Sequence, residues 1–235
     1  MKTENMSWDE IRDYRNKPII IPIGAIEQHG PMAPVATDSI VAEYLANKLG
    51  EKLNFPVATC INFGCVDPSF RRFTGSICIK PETFINLLRD IIESYKFQGF
   101  SKFIIVNAHE TNTKLIERVL QDIEGIKAVS FEYWKVDNRI NDIVESELIH
   151  VCEDEIAIML AIKPELIKKE KVVDELPKEA ELEYTLIPLP EEYKTKTGVM
   201  GKPSKATAEK GRKIIDLVIN KVLEIIRKEL INNEV

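Results

Sequence analysis

KFIIVNAHETNTKLIERVLQDIEG, residues 102–125, is the stretch that decides the fold. Lys102 to Asn107 forms a β-branched run of strand length, and Leu115, Ile116, Val119, Leu120 and Ile123 then recur at helical spacing until Gly125 stops the helix. Between them lies the polar run Ala108-His109-Glu110-Thr111-Asn112. A strand, a polar loop and a helix in that order are one βα unit, and neighbouring segments repeat the alternation. PIIIPI at Pro18 to Ile23 suits a strand buried on both faces. Ile40, Val41, Tyr44, Leu45 and Leu49 mark a helix that Thr37 or Asp38 is placed to cap.

Further strands are expected at Pro56 to Ile61, Ser76 to Ile79 and Ile126 to Phe131. Helices are expected from Pro81 to about Gly99, from Glu153 to Ile162 before Pro164, and from about Lys205 to Leu230. The charged, proline-bearing stretch 168–197 reads as a surface excursion. The whole predicts an α/β fold, an αβα sandwich with a mainly parallel sheet, in a single domain spanning 1–235.

The chain has 235 residues, 44% of them hydrophobic, enough for one sizeable core. Its 38 acidic and 32 basic residues leave a net charge of −6, which argues against nucleic acid as a partner and for small molecules or proteins. No apolar run approaches the roughly 18 residues of a membrane span, and Met1 to Glu10 carries acids where a leader would be apolar. A cytoplasmic protein is expected. Cys60, Cys65, Cys78 and Cys152 show neither CxxC spacing nor disulfide-framework density, so they are expected to be reduced.

Ligands in open α/β sheets gather at the carboxyl ends of strands, and the polar motifs fall there. Glu27 and His29 are two residues apart, so an extended segment points both to one side, with Asp38 reaching in from the next helix start. That set suits a divalent metal; equally, Asp38 is a helix cap and the other two are solvated loop residues. In Asn107-Ala108-His109-Glu110-Thr111-Asn112, His109 is a candidate ligand, Glu110 a ligand or a helix-dipole partner, and Asn107 or Asn112 a support or a cap. In His150-Val151-Cys152-Glu153-Asp154-Glu155, a histidine precedes three acids. They either complement a helix N-terminus or make an acid–base pair with the ring. Cys152 is a weaker candidate, as a nucleophile or a small core residue.

Taken together, PIGAIEQHGPMAPVATD (Pro22 to Asp38), FTGSI (Phe73 to Ile77), NAHETN (Asn107 to Asn112), HVCEDE (His150 to Glu155) and GVMGKPSKATAEKG (Gly198 to Gly211) resemble the creatininase family of amidohydrolases. The resemblance implies two divalent metal ions per chain, Zn²⁺ first and Mn²⁺ or Fe²⁺ as alternatives. Asp38 would bridge them, with Glu27 and His109 on one and His29 on the other. The remaining ligand would be Glu153, with Glu110 as rival, because Thr111 stands where creatininase itself has its carboxylate. His150 would transfer a proton and Glu155 would support it.

The chain departs from the family pattern at Met32, Phe70, Ala108 and Cys152, positions expected to shape the substrate pocket. The resemblance also implies a homo-oligomer, a hexamer in many members. The expected activity is hydrolysis of a non-peptide C–N bond in a small molecule, with deformylation of a formylaminopyrimidine nucleotide favoured and ring opening of a cyclic amide as the alternative. A reading of another class is a non-catalytic oligomeric ligand-binding protein. Arg71 and Arg72 are candidates for an anionic substrate group or a solvated surface pair.

Overall fold

β1 (Ile19–Ile23) is buried at every residue, as its unbroken apolar sequence requires, and pairs in parallel with β2 (Lys102–Asn107). β2 pairs in parallel with β3 (Lys127–Glu132) on its other side, giving the order β1-β2-β3. The structure is a computed structural model that describes residues 1–146, 150–177 and 190–231.

The helices are α1 (Trp8–Arg12), α2 (Thr37–Leu53), α3 (Pro81–Phe97), α4 (Thr113–Asp122), α5 (Glu153–Ile162) and α6 (Ala208–Ile226). Successive side chains of a strand face opposite ways, and this splits the core in two. Ile20, Ile104 and Val106 pack with residues of α2, α5 and α6. Ile19, Ile21, Ile23, Phe103 and Ile105 pack with Phe84, Leu88 and Ile92 of α3 and Ile116 and Val119 of α4. The result is the expected helix–sheet–helix sandwich.

Differences from the expected elements are local. The run Pro56 to Ile61 follows the free edge of β1 in parallel, but only Val57 and Ile61 form bridges, to Ile20 and Ile23. Ser76 to Ile79 is extended without joining the sheet, held by the bond from Ile77 N to Ile26 O at 2.8 Å. Ala36, not Thr37 or Asp38, occupies the cap position of α2, so both polar residues lie inside the first turn and are buried. Of the expected excursion, residues 178–189 lie outside the described residues. The described ends are tied together: the Glu175 carboxylate accepts from Lys196 N at 2.7 Å and Thr197 N at 2.8 Å.

Because β1 and β2 are parallel, with Ile23 beside Asn107, their carboxyl ends open on one edge of the sheet. The loops leaving that edge carry the first two polar motifs. Gly24 permits the crowding there, since a Cβ on it would come 2.4 Å from Ser39 N at the start of α2.

Candidate metal centre

The loop after β1 supplies Glu27 and His29, the first turn of α2 supplies Asp38, and the loop after β2 supplies His109. All four side chains are buried and converge. His29 Nε2 lies 3.0 Å from Asp38 Oδ1, and His109 Nδ1 lies 3.0 Å from Glu27 Oε1 and 3.1 Å from Asp38 Oδ2. Asp38 therefore stands between the two imidazoles. α5 adds Glu155, whose Oε1 is 3.8 Å from His29 Nε2.

The far nitrogen of each ring meets a backbone carbonyl: His29 Nδ1 bonds Glu27 O, and His109 Nε2 bonds Cys65 O, both at 3.1 Å. A carbonyl only accepts, so those nitrogens carry the protons and, in neutral rings, the inward nitrogens are bare lone pairs. They face carboxylate oxygens, which also only accept. Glu27 Oε2, His29 Nε2 and Asp38 Oδ2 are buried atoms that no hydrogen bond satisfies. Such an acceptor-only cage of imidazoles and carboxylates fits divalent cations. Among the described residues, three groups that could hold a cation have donor atoms within 4.8 Å of one another: Glu27, Asp38 and His109; His29, Asp38 and Glu155; and Glu27, His29 and His150. Asp38 belongs to the first two.

Without a cation the same geometry favours protonated rings. Burial lowers the pKa of His29, but Asp38 and Glu155 outweigh it and raise it well above the ordinary value. His109 behaves alike: burial lowers its pKa, and Glu27 and Asp38 raise it further. Burial pushes the Asp38 carboxyl up, yet His29 and His109 hold it below the ordinary carboxylate range.

A supporting layer fixes His109. Asn107 Oδ1 accepts from His109 N at 3.2 Å, and Asn112 Oδ1 accepts from Cys65 N at 2.8 Å, steadying the segment whose carbonyl holds the ring. Asn112 Nδ2 also donates to Gly24 O at 3.1 Å, so Asn112 joins three loops and makes no helix-capping bond. The Cys65 carbonyl is invisible to sequence reading, because backbone atoms leave no residue-type signal.

The third motif arranges itself differently from expectation. Glu153 is fully buried but turned away: its carboxylate accepts from Glu145 N at 2.8 Å and Ser146 Oγ at 3.1 Å and pairs with Lys210 of α6. The lysine neutralises it, so no cation is needed there. Glu155 points inward, with Oε2 accepting from Cys152 N at 3.3 Å across the first turn of α5. Expected to steady His150, Glu155 instead approaches His29. His150 is held by Phe70, whose ring stacks on it at 5.1 Å and 19°, and by the Gln28 amide at 2.9 Å. His150 Nδ1 lies 3.8 Å from Glu27 Oε1.

The rival Glu110 is exposed and 3.8 Å from Lys135. The Cys152 thiol donates to Asp154 Oδ1 at 2.9 Å, and burial with the charge of Glu155 pushes the Asp154 carboxyl up to about 6. Met32 is fully buried among core residues. Arg72 donates to Thr195 O at 2.8 Å, whereas Arg71 is exposed, beside the Phe70 that covers His150.

Comparisons with known proteins identify the family and the fold. The family model "Creatininase: Creatinine amidohydrolase" matches residues 4–226. The chain is 26% identical to the 3-dehydro-scyllo-inosose hydrolase of Thermotoga maritima over 95% of this chain and 82% of that protein. It is 32% identical to the 2-amino-5-formylamino-6-ribosylaminopyrimidin-4(3H)-one 5'-monophosphate deformylase of Methanococcus maripaludis over 43% of this chain and 45% of that one. A solved mutant creatininase complexed with creatine superposes with a TM-score of 0.88 at 22% identity, covering 97% of this chain and 98% of that one, which establishes the shared fold.

Proposed function

This chain belongs to the creatininase family of hydrolases, and from that premise we propose that it is a dinuclear metal-dependent hydrolase of a non-peptide C–N bond in a small molecule. The observation that carries the reading is the buried acceptor-only cage in which Asp38 faces both His29 and His109. Glu27 and His109 would hold one cation, His29 and Glu155 the other, and Asp38 both. Glu155 takes the place first expected of Glu153, because Lys210 already occupies Glu153. Zn²⁺ is the first choice and Mn²⁺ or Fe²⁺ the alternatives, since carboxylate and imidazole ligands accept all three.

When bound, two divalent cations turn a water into a nucleophile at neutral pH and polarise the scissile carbonyl. The chain's own residues do the rest. The water oxygen joins the carbonyl carbon, the C–N bond breaks, and the proton given up by the water ends on the departing nitrogen, to which His150 donates a hydrogen bond from the ring edge facing the cluster. Phe70 covers one face of that ring and limits water there.

Within this class we favour deformylation of a formylaminopyrimidine nucleotide. The partial likeness to such a deformylase supports it, and Arg71, exposed and next in sequence to the Phe70 that stacks on His150, is suited to an anionic group. Ring opening of a cyclic amide is the second reading, favoured by the creatinine amidohydrolase model that matches residues 4–226. Self-association, as hexamers, is part of the proposal; Phe97 is 95% exposed at the end of α3 and available to a second copy. The free thiols of Cys60, Cys65 and Cys78 suit a reducing, cytoplasmic setting.

The test is turnover by the Zn²⁺- or Mn²⁺-loaded protein of a panel containing a formamide nucleotide, creatinine, a lactam and a lactone. Hydrolysis of the formamide supports the first reading and ring opening the second. Binding without turnover of any related substrate would move the protein to the non-catalytic class.

A further inference from the structure

The middle residue of Glu27-Gln28-His29 would pass for a spacer between two metal ligands, yet it is among the most constrained side chains in the molecule. Gln28 is 5% exposed, and its backbone N donates to Ser76 Oγ at 2.9 Å. Its Oε1 accepts from Gly30 N at 2.9 Å, and its Nε2 donates to Gly198 O at 2.8 Å. These partners admit one orientation. A backbone N–H can only donate and a carbonyl can only accept, so a flipped amide would set donor against donor and acceptor against acceptor.

The seat is built for this residue. Gly198 has φ +84°, and a Cβ there would stand 1.9 Å from Gln28 Oε1. A side chain at 198 would evict the amide.

With one amide hydrogen on Gly198 O, the other points at His150 Nε2, 2.9 Å away. That nitrogen must offer a lone pair. A neutral imidazole has a single N–H, so its proton sits on Nδ1, the nitrogen facing Glu27 and the cluster.

Everything else around His150 keeps the ring in this pose. Phe70 stacks on its face, and Met200 N donates to His150 O at 2.9 Å. The next residue, Val151, is a fully buried β-branched residue at φ +50°, a strained conformation that persists only when its surroundings enforce it.

We propose that Gln28 is a positioning residue that holds His150 as the Nδ1–H tautomer, so that the ring meets substrate as a hydrogen-bond donor and not as an acceptor. The part played toward substrate rests on the hydrolase reading. The tautomer itself does not, because the groups that fix it, the Gln28 amide with Gly30 N and Gly198 O, are not among the proposed metal ligands.

The chain has three histidines, so ring nitrogens can be read individually by long-range ¹H–¹⁵N correlation on labelled, Zn²⁺-loaded protein. A His150→Gln variant identifies the His150 signals. The wild type should show a protonated Nδ1 and a bare Nε2 at neutral pH. In Gln28→Glu, a nearly isosteric change that supplies an acceptor, the proton should move to Nε2. kcat for the substrate found should fall by about 100-fold or more with KM nearly unchanged.

An Nε2–H tautomer in the wild type overturns the proposal, as does an unchanged His150 pattern in a folded Gln28→Glu protein. If that variant fails to fold, the wild-type spectrum decides alone. Failure to bind Zn²⁺ would instead count against the hydrolase reading and leave the tautomer readable in the same sample.

Discussion

The segments Glu27 to Asp38 and His150 to Glu155 carry the same residue types to the same place, under different geometric rules. Glu27 and His29 lie in an extended loop, where residues two apart face one way, and both reach the cluster. Glu153 and Glu155 are also two apart, but on a helix that turns by about 100° per residue, so they face nearly opposite ways. One meets His29 and the other Lys210. Identical spacing gives a shared centre in the first segment and a division of labour in the second.

The largest test of this contrast is Asp38→Ala, which removes the group common to both halves of the cage. Metal should be lost from both, and kcat/KM should fall by about 10³-fold or more, several kcal/mol of transition-state stabilisation going with the cations. Retained metal and turnover would break the shared-aspartate account.

The sharper test exchanges the two glutamates of α5. Glu155→Gln should lower activity by about 100-fold, with a smaller loss of metal-free thermal stability than Glu153→Gln causes, since His29 keeps Asp38 as its partner. Glu153→Gln should leave activity per folded molecule intact but destabilise the protein by about 1.5 kcal/mol, because a charged hydrogen bond to Lys210 is lost while Lys210 keeps Glu145 as a partner. The reverse pattern, read by kinetics and thermal melts, would restore Glu153 as the ligand.

Smaller effects probe the first segment's support. Asn112→Ala frees the Cys65 segment that holds His109, and metal affinity should drop by about 10-fold in a competition titration.

The pH dependence should split between states. His29 and His109 have raised pKa values in the folded, metal-free protein. Their contribution to stability is therefore full below about 6.5, the ordinary histidine value, and is lost as pH rises through the higher folded values. Asp38, held low, contributes above the ordinary aspartate range and loses this as pH falls through its own lower value. Metal affinity runs the other way, rising with pH as the rings shed their inward protons. Thermal melts without metal and Zn²⁺ titrations across pH 5–9 check both signs.

Periodicity revealed most of the fold because it is a property of side chains. β1, β2, β3 and α2 to α6 all stand within a few residues of where apolar spacing puts them. The runs at 56–61 and 76–79 have strand-like composition, but whether an extended segment joins a sheet depends on backbone bonds to a neighbour. One is bridged only at Val57 and Ile61, and the other bonds a loop.

The candidate site divides likewise. Glu27, His29, Asp38 and His109 were legible as residue types at strand ends. The roles of Glu153 and Glu155 were not, since they depend on where α6 places Lys210. Gln28 was overlooked because its importance lies in its partners, two of them backbone groups.

Glu27, His29, Asp38, His109 and Glu155 are proposed to build a two-cation centre. Elemental analysis of the protein purified without chelator, then titrated with Zn²⁺ or Mn²⁺, tests it most directly. The account predicts saturation at two ions per chain; no bound ion after titration, or saturation at one that Asp38→Ala leaves in place, would contradict it.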